Sequence, residues 1–264
     1  MALDPSRSHD RERTVVRRSA GPDELSERVA ARLISRLVQI QQSGRDPSVV
    51  LTGGSIAVRI HKAVAESPDR DLVAWSRVDF WFGDERFVPH GSSDRNAGQA
   101  ATAMLDRLPV DPARVHPMPA SDGEYGEDVD AAAQGYADEL GAVGSGDGPL
   151  FDVLMLGIGP DGHCASLFPR RPELDEERPV VAVRNSPKPP PTRITLTMGT
   201  LNRSREVWFV AAGSDKAAAV RSAVNGSHPV DVPAAGPHGL ERTIWMLDDD
   251  AASLLSRTPR SNGD

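Results

Sequence analysis

A single cysteine, Cys164, stands in 264 residues. That excludes an internal disulfide framework and a cysteine-based metal cage, and it fits a reducing compartment. Lysine is also scarce: the cations are nearly all arginine, and only Lys62, Lys188 and Lys216 are lysines. A chain so poor in lysine gives each one it keeps a stronger claim to a role as a point charge. No apolar run reaches the length of a membrane span, and the polar, Arg-rich start through Arg18 lacks the apolar core of a secretory signal. An excess of basic charge is missing as well. The formal net charge is -8, the wrong sign for a nucleic-acid surface. The seven histidines show no close metal-ligand pairing. The expectation is a cytoplasmic chain with no metal, cofactor, nucleic-acid, membrane or obligate protein partner.

What is present is an alternation of short apolar runs with helical periodicities. Residues 14–16 read as a first strand. Gly21-Pro22-Asp23-Glu24 then opens a helix whose Leu25, Val29, Leu33 and Leu37 recur every four residues. Strands are expected at 48–51, 78–82, 151–156, 193–197, 206–211 and 242–247. Helices are expected from Ser55, over 96–108 and 129–140, after Gly213, and over 248–255 as a last capped helix. Pro187 to Pro191 reads as a stiff, polyproline-like segment, and 141–148 as an internal loop. This pattern predicts an α/β fold: a Rossmann-like, mostly parallel sheet with helices on both faces in a single compact domain over 14–256. Flexible tails are expected at 1–13 and 257–264.

The chemistry gathers where strands end, since ligands of open α/β sheets bind beyond the carboxyl ends of the strands. The run Phe151 to Leu156 stops in Gly157, Gly159, Pro160 and Gly162, and Asp161 and His163 sit inside that turn. Asp and His are well suited to moving a proton near neutral pH. Thr52-Gly53-Gly54-Ser55 turns from strand to helix with paired glycines, a geometry that offers backbone N–H groups and a helix N-terminus to a phosphate. It is neither a P-loop nor a dinucleotide fingerprint. Gly83-Asp84-Glu85-Arg86 follows another strand. Arg86 can clamp an anion, while Asp84 or Glu85 orients Arg86 or meets sugar hydroxyls. Lys216 follows Gly213, and Lys188 and Arg193 flank the prolines. Taken singly, each has an ordinary alternative: a tight turn, a solvated charge run, a surface lysine, an edge strand. His9, His61, His90, His116, His228 and His238 lack an acid–base partner pattern, and Cys164 reads as a packing residue.

The ordered set resembles the 6-phosphogluconolactonase family, relatives of glucosamine-6-phosphate deaminase and isomerase. The resemblance spans about Val15 to Leu255 and is most specific over Leu156 to Pro169. Thr52 to Ser55, Gly83 to Pro89, Pro187 to Thr197 and Gly213 to Ala217 are also family-like. It implies a Rossmann-like sheet and metal-independent opening of a phosphorylated sugar lactone in the oxidative pentose phosphate pathway. It also implies His163 as the acid–base residue, with Asp161 either orienting it or binding a hydroxyl. Gly53, Gly54, Ser55, Asp84, Arg86, Lys188, Arg193 and Lys216 are then expected around the substrate and its phosphate.

Some positions depart from the family pattern. Ile56 and Ala57 stand where Thr and Pro are common, Arg95 where Ser is frequent, and Arg170 where Gly is frequent. The deaminase relatives carry an Asn-Glu-Pro sequence after the Asp-Gly-His segment, and its acid joins their catalytic set. Here Ser166-Leu167-Phe168-Pro169 has no acid, which favours the lactonase. The remaining alternatives are a glucosamine-6-phosphate deaminase or isomerase and a non-catalytic sugar-phosphate-binding regulatory module.

Overall fold

Six parallel strands form the central sheet in the order β1-β9-β8-β5-β2-β3. They are β1 (Thr14–Ser19), β2 (Ser48–Leu51), β3 (Asp79–Phe82), β5 (Phe151–Leu156), β8 (Ser204–Ala211) and β9 (Arg242–Asp248). The computed structural model describes residues 14–144 and 148–256. The two expected tails, at 1–13 and 257–264, lie outside the described residues.

Helices α1 (Pro22–Gln42) and α2 (Ser55–Glu66) lead into β2 and β3 and pack on each other. The predicted stripe of Leu25, Val29, Leu33 and Leu37 is fully buried. β5 buries all six residues, as a central parallel strand covered on both faces must. From β2 the chain steps outward to β3; from β5 it steps the other way, to β8 and β9. Right-handed crossovers therefore place α1 and α2 on one face and α5 (Ala217–Val224), between β8 and β9, on the other. The reversal also leaves a crevice above the carboxyl ends of β2 and β5, the position where such sheets hold ligands.

A second sheet was not foreseen. β4 (Asp84–Arg86), β7 (Arg193–Leu196) and β6 (Val180–Val183) form an antiparallel trio, with β7 in the middle. Glu85, expected in a turn after β3, lies instead in the three-residue β4, with no exposed surface. Its carboxylate accepts the N–H groups of Arg86, Asn96 and Ala97 at 2.7–2.9 Å and so caps α3 (Asn96–Ala103). Burial pushes the Glu85 carboxyl up; the Arg95 guanidinium at 3.8 Å and the three N–H donors pull against that.

Four further expectations are corrected. The helix from Asn96 stops at Ala103, and Leu105–Arg107 is a separate 3-10 turn. Of the expected helix over 248–255, Asp248 ends β9 and residues 249–254 make consecutive turns; the Asp248 carboxylate accepts from the N–H groups of Gly213 and Ala251. The proline segment bends, with a cis peptide between Pro189 and Pro190, instead of running as an extended polyproline stretch. Helix α4 (Val129–Val143) runs three residues further than expected. No helix among the described residues is long and apolar enough to cross a membrane.

His61, on α2, is buried with no hydrogen-bond partner on either ring nitrogen. Burial alone pulls its pKa from 6.5 down to about 4. Between these values the unfolded chain binds a proton that the folded chain refuses. Stability is therefore complete above pH 6.5 and falls as pH drops towards 4. The full window is worth about 3 kcal/mol at about 1.4 kcal/mol per pH unit. Denaturant unfolding of wild type and His61→Leu at neutral pH and near pH 5 checks this. The variant should lose most of the acid-side slope, and equal slopes would place the acid sensitivity elsewhere.

Candidate active site

The turn after β5 builds the centre of the site. Gly159 donates its N–H to the His163 carbonyl at 2.9 Å, and Gly162 donates to the Gly159 carbonyl at 2.9 Å. The chain thereby folds back so that the Asp161 and His163 side chains meet, with Nδ1 of His163 and Oδ1 of Asp161 2.6 Å apart. Gly162 makes the reversal at φ 85°, a region that side-chain-bearing residues rarely adopt. At Gly159 the constraint is steric instead: a Cβ there would overlap both His163 Nδ1 and Asp161 Oδ1.

Burial pushes the Asp161 carboxyl up. The hydrogen bond from His163 and the charges of His163 and Lys188 outweigh it and hold the group well below the usual carboxylate range. An ionised carboxylate only accepts, so Nδ1 carries the proton and Nε2 of the neutral ring keeps its lone pair. The imidazole stacks on Phe168, with centroids 4.7 Å apart, and its side chain remains 17% exposed. Lys188 Nζ lies 3.3 Å from Asp161 Oδ1 and 3.3 Å from His163 Nδ1.

The pair opens into a cavity of about 590 Å³. Its walls include Gly53, Gly54 and Ser55 from the β2 end, Asp84 and Arg86 from β4, Lys188 from the loop before β7, Arg193 from β7, and Lys216 beyond β8. Every sequence-predicted site residue except Asp161 lines this one space, and Asp161 touches it through His163. The two turns are stitched together by the Gly157 N–H on Thr52 Oγ1 at 3.3 Å. Gly54, at φ 97°, is the N-cap of α2 and places no side chain over the first-turn amides, which lack acceptors within the helix. A Cβ on Gly53 would strike the Asn96 amide, so the glycine lets Asn96 approach. Asn96 in turn accepts from Arg86 Nη1 at 2.8 Å and donates to the Asp84 carbonyl at 2.9 Å. Arg86 Nη1 also reaches the Asp94 carbonyl, while its Nε is buried without a partner.

The family described as glucosamine-6-phosphate isomerases/6-phosphogluconolactonase matches residues 20–245. The chain belongs to this family. A 6-phosphogluconolactonase of Streptomyces coelicolor is 52% identical over 239 residues, covering 89% of this chain and 92% of that protein. One of Mycobacterium leprae is 45% identical, covering 86% and 92%. Among solved structures, the 6-phosphogluconolactonase of Trypanosoma brucei superposes with a TM-score of 0.77 at 27% identity, covering 92% of this chain and 99% of that one.

Within this family member, four residues in or beside the cavity were not anticipated as site residues from sequence. Asn96 and Gly159 are named above. Arg59 lies one helical turn beyond Ser55 on α2 and pairs with Asp23. Phe168 is the apolar floor under His163. Helical spacing from the phosphate turn would have found Arg59; nothing in the sequence marks Asn96 as a neighbour of Gly53. Among the described residues no three His, Cys, Asp or Glu side chains converge as a metal site.

Proposed function

We propose that this chain hydrolyses 6-phospho-D-glucono-1,5-lactone to 6-phospho-D-gluconate, in the cytoplasm, as a step of the oxidative pentose phosphate pathway. The observation that carries the reading is the Asp161–His163 pair at 2.6 Å, open to a cavity whose other walls include the Gly53–Gly54 turn and the cations Arg59, Arg86, Lys188, Arg193 and Lys216. His163 Nε2 takes a proton from water as the water oxygen attacks the lactone carbonyl carbon. The tetrahedral intermediate collapses with cleavage of the bond from that carbon to the ring oxygen. Protonated His163 returns the proton to the departing ring oxygen. The amides of Gly157, Gly159 and Gly162 are already engaged within the protein, so they do not supply the oxyanion contact.

The phosphate rests on Gly53, Gly54 and Ser55 with Lys216 and Arg86. Binding energy at this remote group holds the carbonyl beside His163. Asp84 serves the site through its neighbours: its carboxylate accepts from Ser166 Oγ at 2.6 Å and its carbonyl from Asn96. The floor under the histidine favours lactonase over deaminase. Sugar ring opening and isomerisation need additional proton carriers, and Phe168 is not one.

The deciding assay is hydrolysis of 6-phosphogluconolactone beside its unphosphorylated analogue, each corrected for spontaneous opening, with ammonia release from glucosamine 6-phosphate in parallel. Preferential opening of the phosphorylated lactone is expected; ammonia release would move the chain to the deaminases. In the same assay Arg86→Ala should raise KM about tenfold to a hundredfold, the size of a charged hydrogen bond of about 1.5–3 kcal/mol. An unchanged KM would remove Arg86 from the phosphate.

A further inference from the structure

Arg193 was expected at the substrate, but its guanidinium is spent on the protein. Its side chain is only 4% exposed. Nε donates to the Pro190 carbonyl at 3.0 Å, and Nη2 donates to the carbonyls of Lys188 and Pro189, both at 3.1 Å. Three successive carbonyls of one loop thus converge on one planar cation. Nη1 reaches Ser166 Oγ at 3.4 Å and lies 3.9 Å from Asp84 Oδ2, which itself holds the Ser166 hydroxyl. The guanidinium carbon also stands 5.7 Å over the Phe168 ring, whose centroid lies 4.7 Å from that of His163. One side chain therefore joins the Lys188 loop, the segment after His163 and strand β4.

We propose that Arg193 is a positioning residue that acts through Lys188: it fixes the 186–191 loop so that Lys188 Nζ stands against the Asp161–His163 pair. Prolines 187, 189, 190 and 191 offer no N–H groups for a ladder, so this loop has few means of holding its own shape. Its remaining ties are Ser186 N–H to the Pro191 carbonyl at 2.9 Å and Lys188 N–H to Ser186 Oγ at 3.2 Å. The planar fork of an arginine matches several carbonyls at once; a lysine in its place reaches one. The inference rests on the lactonase reading only for its kinetic arm.

The test compares Arg193→Lys, Lys188→Met and the double variant. Arg193→Lys should lower kcat/KM for 6-phosphogluconolactone on the order of tenfold, below the ~10²-fold that a 1 Å misplacement of reacting groups can cost. In the Lys188→Met background the same change should cost nothing further, since the residue it positions is gone. Losses that multiply would overturn the proposal and return Arg193 to direct substrate contact. Hydrogen exchange supplies a readout independent of activity: the Ser186 and Lys188 amides should exchange faster in Arg193→Lys, and unchanged exchange would overturn it. If wild type opens no lactone, the lactonase reading falls alone and the exchange arm still decides the anchor. Arg193→Gln, which leaves no buried unpaired cation, repeats both arms. Failure of both variants to fold would assign Arg193 to the fold rather than the site.

Discussion

His163→Ala should lower kcat for the phosphorylated lactone by about 10²–10⁴-fold, the usual worth of a positioned acid–base group. Affinity for 6-phosphogluconate should stay close to wild type. The two readouts should separate under the proposed mechanism, in which the imidazole serves the water and the ring oxygen while the phosphate is assigned to the β2 turn, Arg86 and Lys216, which line other walls of the cavity. The ring is placed for this work from three sides. Asp161 accepts from Nδ1 at 2.6 Å, Phe168 sets the plane of the imidazole, and Lys188 adds its charge at 3.3 Å. Asp161 is held ionised far below neutral pH, so the tautomer with Nε2 free persists wherever the ring is neutral. Turnover is measured against the spontaneous opening of the lactone, and product binding by calorimetry. Near-normal turnover would sink the acid–base role; equal losses in turnover and affinity would make His163 a binding residue.

The second large effect is expected at a residue without a side chain. Gly159→Ala should cost about 10²-fold in kcat, with KM little changed, because misplacing a reacting group by an ångström costs about that much. Its backbone is not in the left-handed region, so alanine is conformationally permitted there. The obstacle is that the new methyl would occupy the space of the hydrogen-bonded atoms of His163 and Asp161. The pair must part, and the imidazole then loses both its fixed tautomer and its aim. Asp161→Ala should reproduce most of the loss, and combining it with Gly159→Ala should add little, since both act on the same contact. A thermal melt close to wild type confirms that the fold survives. Full activity in Gly159→Ala would mean that the 2.6 Å contact is dispensable.

The pattern of the chain carried the parallel sheet well, because most of its strands contain a continuous apolar run, as in Val-Val-Leu of β2, Phe-Trp-Phe of β3 and Val-Leu-Met-Leu of β5. β5 and the stripe of α1 lie where periodicity placed them. The second sheet was hidden for the opposite reason. β4 has three residues, all of them charged, and β6 has four. Strands so short carry no period of their own, and only pairing with β7 makes them strands. The last segment read as a helix because Asp248 and the alanines suit one, yet Asp248 is captured by the Gly213 turn across the sheet.

Residue chemistry and local turn geometry were properties of the sequence alone: Asp161 and His163 in a glycine-rich reversal, paired glycines at Gly53 and Gly54 between strand and helix, and cations at later strand ends. Tertiary structure decided which of those groups face the cavity and which commit their polar atoms to the protein. Glu85 and Arg193 sit in motifs that look like ligand contacts, but burial leaves no water to solvate their charges. Glu85 therefore caps a helix, and Arg193 gathers the carbonyls of a proline loop. Arg86, one residue from Glu85, lines the cavity, with its Nε buried and unpartnered. Adjacent charges in one motif differ in role because alternation along a strand turns them to opposite faces, and only the packed fold determines which face is the cleft.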